Sequence, residues 1–65
     1  MRTKNFLSIP HPLMDYLVGN SNYNIGEINK MGGQFIGIQF LKVDARNFQY
    51  VLTAVVPDTF KLINN

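Results

Sequence analysis

The longest regular pattern in the chain covers residues 34–56, which read QFIGIQFLKVDARNFQYVLTAVV. Its two halves, residues 34–43 and 48–56, are rich in the β-branched and aromatic side chains that are enriched in strands. The residues between them, 44–47, are polar and suit a turn. Pro57 ends the second half because it has no N–H to give to a β-ladder. The stretch therefore predicts an antiparallel β-hairpin.

Both faces of this hairpin are predicted to be largely apolar. A loop of either two or four residues gives the same register, with Val43 opposite Phe48 and Leu41 opposite Tyr50. One face then carries Phe35, Gly37, Leu41, Val43, Phe48, Tyr50, Leu52, Ala54 and Val56, interrupted by Gln39. The other face carries Ile36, Ile38, Phe40, Val51 and Val55 together with Lys42, Gln49 and Thr53. An antiparallel sheet normally leaves one face polar, so this pattern requires a cover on each side.

The N-terminal part of the chain predicts one short strand and one short helix. Residues 4–9 suit a strand that stops at Pro10. Pro12 is tolerated at the start of a helix, and the apolar residues behind it predict about two helical turns. Gly19 and the residues up to 22 predict the end of that helix and a loop.

Two further strands are predicted on either side of the hairpin. Residues 23–30 suit a strand, and Gly32 and Gly33 suit a reversal into residue 34. After Pro57, residues 59–63 favour a strand over a single helical turn capped by Asp58. The sequence thus predicts one small domain, residues 1–65, that is mainly β (small α+β). We expect an antiparallel sheet or a small open barrel of four to five strands with one short N-terminal helix.

The length of 65 residues makes extra support for this fold necessary, because short chains bury a small fraction of their surface. Disulfides are excluded since the chain has no cysteine. His11 is the only histidine, and the four carboxylates are far apart in sequence, so we expect no metal and no cofactor. Oligomerisation, or binding to a larger protein, remains as the support.

The apolar second face of the hairpin is the predicted site of that association. Either the strands close into a small barrel, or a second copy covers the face in a dimer or higher oligomer, or the two ends of the same chain cover it. We expect the oligomer. The predicted interface residues are Ile36, Ile38, Phe40, Val51 and Val55.

Catalysis is not expected from this composition. A nucleophile needs a base beside it that a third group orients, and only Ser8 and His11 lie close together in sequence. The residues between them give no nucleophile elbow, and His11 stands between two prolines. The glycine pair at 32–33 lacks the lysine and the following helix of a phosphate-binding loop.

Single-stranded nucleic acid is the alternative partner. The sequence pI is about 9.2, and aromatic side chains on strands stack on unpaired bases while basic side chains meet phosphate. Phe40 is the predicted stacking residue on a strand, and Phe35, Phe48 and Tyr50 are predicted to be core. The residues predicted to contact nucleic acid or another anion are Lys4, Lys30, Lys42, Arg46 and Tyr23.

The function predicted from the sequence is therefore binding. We expect a non-enzymatic, inhibitor-like or accessory interaction protein that binds a larger protein as a homo-oligomer, with a small-barrel single-strand nucleic-acid binder as the alternative. No apolar run is long enough to span a bilayer, so no membrane partner and a cytoplasmic location are expected.

Overall fold

The computed structural model describes residues 1–59, which form one helix and three strands. Strand β1 covers Arg2–Leu7, helix α1 covers Met14–Lys30, β2 covers Gln34–Lys42 and β3 covers Phe48–Val56. The sheet has the order β1-β3-β2, and both neighbouring pairs are antiparallel. The helix packs over β3 and β2 on one side of this open sheet.

This architecture confirms the predicted small α+β class but not the predicted strand number. The structure has three strands in residues 1–59, whereas four to five were expected. One missing strand, residues 23–30, belongs to α1 instead. The other, residues 59–63, falls almost entirely outside the described residues, and Thr59 itself lies in a turn.

The hairpin of β2 and β3 is confirmed, but its predicted register is wrong by one residue. Phe40 pairs with Tyr50 and Lys42 pairs with Phe48, where Leu41 opposite Tyr50 was expected. The loop contains an odd number of residues, 43–47, and the N–H of Val43 donates to the carbonyl of Asn47. An odd count shifts every partner by one, and since side chains alternate, the shift exchanges the two faces of β2.

A β-bulge near the start of β2 then brings Phe35 back to the core side. Phe35 pairs with Ala54 and Gly37 pairs with Thr53, so Ile36 is the extra residue. As a result Phe35, Ile38 and Phe40 all pack against the buried cluster, although no single alternation joins them. The bulge explains why the apolar residues of β2 do not follow a strict period of two.

Helix α1 is much longer than the predicted two turns. Its buried residues Leu17, Ser21 and Ile28 follow a helical spacing, and Ile25 packs against the core beside them. The predicted loop at residues 19–22 is wrong: Gly19 and its neighbours continue the helix at a propensity cost of about 1 kcal/mol for the glycine. The buried Ser21 hydroxyl donates to the carbonyl of Val18, 2.7 Å away, which satisfies it inside the helix.

The pair Gly32-Gly33 ends this helix instead of turning a hairpin. The N–H of Gly33 donates to the carbonyl of Ile28 and that of Gly32 to the carbonyl of Asn29, which is the Schellman arrangement. Gly32 has φ of 88°, a value that glycine adopts without strain. Lys30 in the last turn and Asp15 in the first both suit the helix dipole.

The core lies between α1 and the sheet. Tyr50, Leu52, Ala54 and Val56 of β3 are buried there, which confirms the predicted burial of Tyr50. Phe35 and Phe48, the other predicted core aromatics, pack against the same cluster. The remaining buried members are Phe6, Leu17 and Ile28.

Candidate interaction surface

The side of the sheet away from α1 has no cover among residues 1–59. We call this side the open face. Its members are the residues that alternate with the buried positions of the three strands. They are Thr3, Asn5, Leu7, Gln34, Gly37, Gln39, Leu41, Gln49, Val51, Thr53 and Val55.

No residue of the open face carries a charge. The five basic residues of the described chain lie elsewhere. Arg2 and Lys4 pair with the buried residues Val56 and Ala54, so they lie on the other side of the sheet. The acidic residues are on α1, in the 43–47 loop and in the final turn. The open face is therefore uncharged, although the chain has a net charge of +2.

The apolar part of the open face is exposed. Leu7 is 61% exposed and Leu41 is 37% exposed. The bulge residue Ile36 is 56% exposed, and Val43, in the loop just beyond β2, is 44% exposed. Val51 and Val55 in the central strand are half-buried by their neighbours. These side chains form two groups, with Leu7 and Leu41 near Val51 and Ile36 near Val55. Exposed apolar patches mark interaction sites on small proteins.

The centre of the open face is polar but uncharged, and it has a gap. Oγ1 of Thr53 donates to Oδ1 of Asn5 across the β1-β3 pair at 2.8 Å. On the other side of Thr53 stands Gly37, and a Cβ added there would meet no atom within 4 Å. The middle of the sheet thus has room for atoms that the described chain does not supply.

The five predicted interface residues do not share one side of the sheet. Val51 and Val55 belong to the open face, and Ile36 is exposed in the bulge beside it. Ile38 and Phe40 pack against the core, where the Phe40 ring meets that of Tyr50 edge-on with centroids 6.0 Å apart. The split follows from the register shift, because a one-residue slip exchanges the two faces of β2 while the residues of β3 keep theirs.

Sequence reasoning missed Gly37, Gln39, Leu41 and Thr53 as members of this surface. In the expected register the first three lay on the opposite face from Val51, and Thr53 was counted as a polar interruption. The signal that identifies them is the absence of charge at alternate positions of β1, β2 and β3. The sequence alone does not reveal this pattern, because it becomes visible only when the strand order and the bulge are known. Asn5 of β1 and Thr53 of β3, for example, are paired but lie 48 positions apart in the sequence.

The predicted nucleic-acid contacts are dispersed. Lys4 lies opposite Ala54 and Lys42 opposite Phe48, and these positions are roughly 20 Å apart along β3. Lys30 ends α1, where its ammonium group lies 3.5 Å from a Glu27 carboxylate oxygen. Arg46 lies in the 43–47 loop, and Tyr23 is 59% exposed on α1. The structure does not bring these side chains together in one groove.

Ser8 and His11 are each engaged with other groups. The Ser8 hydroxyl donates to the carbonyl of Ile9 and accepts the N–H of Tyr50. Nδ1 of His11 accepts the N–H of Leu13 at 3.0 Å, and the imidazole stacks on Tyr16 with ring centroids 4.1 Å apart. These contacts fix the path of the chain from β1 into α1.

The chain matches no known family model, and no curated protein or solved structure is significantly similar to it. The helix found in residues 1–59 is too short and too polar to cross a bilayer.

Proposed function

We propose that the chain is a non-enzymatic interaction protein that forms a homodimer through the open face and binds a larger protein in that form. The observation that carries the proposal is a three-stranded surface that is apolar in part, uncharged throughout and uncovered by residues 1–59. In the dimer two sheets pack face to face, about 10 Å apart, with the helices outside.

Charge favours a second copy as the occupant of the open face. Two copies of a basic chain repel each other, and contacting surfaces that hold like charges add to that repulsion. All basic residues in the described part of the chain lie off the open face. Two copies therefore meet without desolvating a charge and without placing like charges in contact.

Gly37 supports close contact between backbones at this surface. A glycine inside a strand weakens it, and it often marks a place where another backbone approaches. Gly37 is not needed for its conformation, because Gly32 is the only residue with a positive φ in the described chain. It is not needed to avoid a neighbour either, since the space beside it is open.

The β2 edge of the sheet is less suited to self-association than its face. β2 is an edge strand, and the bulge at Ile36 interrupts its regular row of backbone groups. Bulges of this kind protect edges from pairing with another chain. A face-to-face dimer also supplies the burial that a chain of 65 residues lacks.

The outer side of α1 is the part of such a dimer that would meet a larger protein. Leu13, Val18 and Tyr23 are 63%, 40% and 59% exposed. They lie on or next to α1, which a face-to-face dimer leaves uncovered. The dimer then presents two copies of each contact, which raises the apparent affinity for a partner with two binding sites.

The test is the molar mass in solution, measured by light scattering on the wild type and on Gly37→Lys. We expect twice the chain mass of 7.4 kDa for the wild type and the chain mass for the variant. The Cβ of the lysine meets no atom of residues 1–59 within 4 Å, so we expect the fold to be retained, and the lysine places a charge in the centre of the interface. Circular dichroism confirms that the variant remains folded.

Gly26→Lys is the matched control. Gly26 lies on the exposed side of α1, and a Cβ there also meets no atom within 4 Å. The control adds the same charge and should remain a dimer. A monomeric wild type at millimolar concentration, or equal masses for the two variants, contradicts the proposal.

A further inference from the structure

A cleft lies between the first half of α1 and the end of β1, because the helix covers β2 and β3 rather than β1. Its volume is about 190 Å³. Pockets that bind drug-sized molecules have volumes of about 300 Å³ or more, so this smaller cleft suits a molecule with a single ring. The lining side chains used below belong to Ile9, Tyr16, Leu17, Asn20, Asn24 and Tyr50.

The polar part of the cleft is a set of hydrogen bonds around the Tyr50 hydroxyl. That hydroxyl donates to Oδ1 of Asn20. Nδ2 of Asn24 donates both to the Tyr50 hydroxyl at 2.8 Å and to Oδ1 of Asn20 at 3.2 Å. The two N–H groups of Asn24 and both lone pairs of the Asn20 oxygen are thereby used.

Two polar groups of this set remain available to a ligand. Nδ2 of Asn20 and Oδ1 of Asn24 have no hydrogen bond to any residue of 1–59. Both residues are half-buried and line the cleft. The hydrogen bonds to Tyr50 hold their amides in fixed positions one helical turn apart. The side chains that line the cleft therefore include one preorganised donor group and one preorganised acceptor, on residues one helical turn apart.

The apolar part of the cleft suits a flat molecule. Tyr16 lines it, and its ring is supported on one side by the stacked His11. The Tyr16 side chain is 49% exposed, so part of its surface remains for contact with a second ring. Ile9 and Leu17 add aliphatic surface, and no lining residue is charged. An ionic ligand finds no counterion here, whereas a neutral aromatic ligand does not need one.

We infer that this cleft binds a neutral, planar, cyclic amide, and that a pyrimidine base is the ligand of this class that fits it best. The ring stacks against Tyr16. The imide N–H of the ring donates to Oδ1 of Asn24, and the adjacent ring carbonyl accepts from Nδ2 of Asn20. Together the two asparagines donate one hydrogen bond to the base and accept one from it, as a single asparagine does when it recognises the edge of a base.

The test is a titration of the full chain with uracil, followed by proton–nitrogen correlation spectra of the asparagine side chains. We expect saturable shifts confined to the amides of Asn20 and Asn24 and to backbone signals around Tyr16. Uracil methylated at both ring nitrogens has no ring N–H donor and should bind about tenfold more weakly. Equal binding of the two compounds, or no shift at these amides up to the solubility limit, overturns the inference.

Asn20→Asp is the most specific variant. The carboxylate retains the acceptor that Tyr50 and Asn24 use and replaces the free donor by a negatively charged acceptor. We expect uracil affinity to fall about tenfold or more. Asn22→Asp makes the same change in charge on an exposed position of the same helix and should bind as the wild type does. Equal losses in the two variants contradict the assigned contact.

Free pyrimidines and single-stranded nucleic acid both supply this chemistry, and an oligouridylate distinguishes them. If the physiological source is a strand, the oligomer binds more tightly than uracil and its affinity falls with salt. If the source is the free compound, the oligomer binds no better than uracil. Failure of the Gly37→Lys experiment leaves this cleft untouched, since Gly37 does not line it.

Discussion

The Tyr50 hydroxyl of β3 donates a hydrogen bond to Oδ1 of Asn20 in α1, and this contact joins the helix to the centre of the sheet. The Tyr50 side chain is only 2% exposed, and burial raises the pKa of its hydroxyl above 10.0. At neutral pH the hydroxyl therefore keeps its proton and acts as the donor. Nδ2 of Asn24 donates to the Tyr50 hydroxyl oxygen, so this hydroxyl both donates and accepts a hydrogen bond. The polar middle of α1 is explained by the buried hydroxyl beneath it.

Tyr50→Phe is expected to lower the free energy of unfolding by about 1 kcal/mol, because Asn20 and Asn24 each lose one partner while the ring is retained. Urea unfolding at a fixed protein concentration measures the change. Tyr23→Phe is the control. Its hydroxyl has no hydrogen bond to residues 1–59 and its side chain is 59% exposed, so we expect a change within about 0.5 kcal/mol. Equal effects would mean that the contact with Asn20 adds nothing to stability.

The same contact explains why the helix was only partly predictable. Residues 19–26 contain glycine, asparagine and serine in the proportions of a loop, and local propensity indicates one. Leu17, Ile25 and Ile28 share one helical face, but Asn20, Ser21 and Asn24 lie between Leu17 and Ile28 on or beside that face and are polar. Their polarity matches the Tyr50 hydroxyl, which is remote in sequence. The hydrogen bonds between α1 and Tyr50 thus outweigh the local preference of residues 19–26 for a loop.

Gly19→Ala and Gly26→Ala test the long helix directly. Each glycine lies inside α1 with no atom within 4 Å of an added Cβ, so each change should raise the free energy of unfolding by up to about 1 kcal/mol. Gly32→Ala is the contrasting variant, because φ of 88° there disfavours alanine by about 1 kcal/mol or more. Thermal and urea unfolding rank the three variants by their free energies of unfolding. A loss of stability at Gly19 would favour the loop that the local sequence suggests.

Gly33→Ala and Gly37→Ala form a second matched pair. A Cβ at Gly33 would lie 2.6 Å from Cγ2 of Ile28, and 3.1 Å and 3.2 Å from the carbonyl oxygens of Ile28 and Val55. Since two of these atoms belong to the backbone, we expect a loss of about 1–3 kcal/mol. The same change at Gly37 meets open space, so the fold itself should gain up to about 1 kcal/mol. Similar losses at both positions, at a protein concentration where the chain is monomeric, would show that the open face is covered by part of the chain itself.

The hairpin shows what a hydrophobic pattern does and does not determine. The buried set of β3, from Tyr50 to Val56, follows strict alternation, and the sequence predicts it correctly. In β2 the odd loop and the bulge each change the parity, and no periodicity encodes either event. Two of the five predicted interface residues, Ile38 and Phe40, therefore pack inside, while Leu41 and Gln39 lie on the open face.

Asp44 stabilises the odd loop, and acid should weaken it. The backbone N–H of Arg46 donates to Oδ1 of Asp44, as do the backbone and side chain of Asn47. These hydrogen bonds, that of Arg46 first, lower the pKa of Asp44 below 3.8. A carboxylate whose pKa is lower in the folded state contributes stability above its unfolded pKa and loses it as the pH falls through the folded value.

The measurement is urea unfolding of the wild type and Asp44→Asn at neutral pH and through the acid range below about pH 4. We expect the stability of the wild type to fall more steeply with decreasing pH than that of the variant. Asp15→Asn is the control, because Asp15 accepts no hydrogen bond from residues 1–59, and it should keep the steep acid loss. Parallel curves for the wild type and Asp44→Asn would contradict the contribution of Asp44.

Self-association through the open face should be nearly independent of salt. No charged side chain lies on this face, so screening has little there to act on. We expect the dissociation constant of the dimer to change by less than about threefold between about 0.15 M and about 1 M salt, and any change to favour the dimer because screening reduces repulsion between the basic chains. Sedimentation equilibrium at each salt concentration measures it. A constant that rises steeply with salt would place Lys4, Lys42 or Arg46 in the contact, and the two sheets would then not meet face to face.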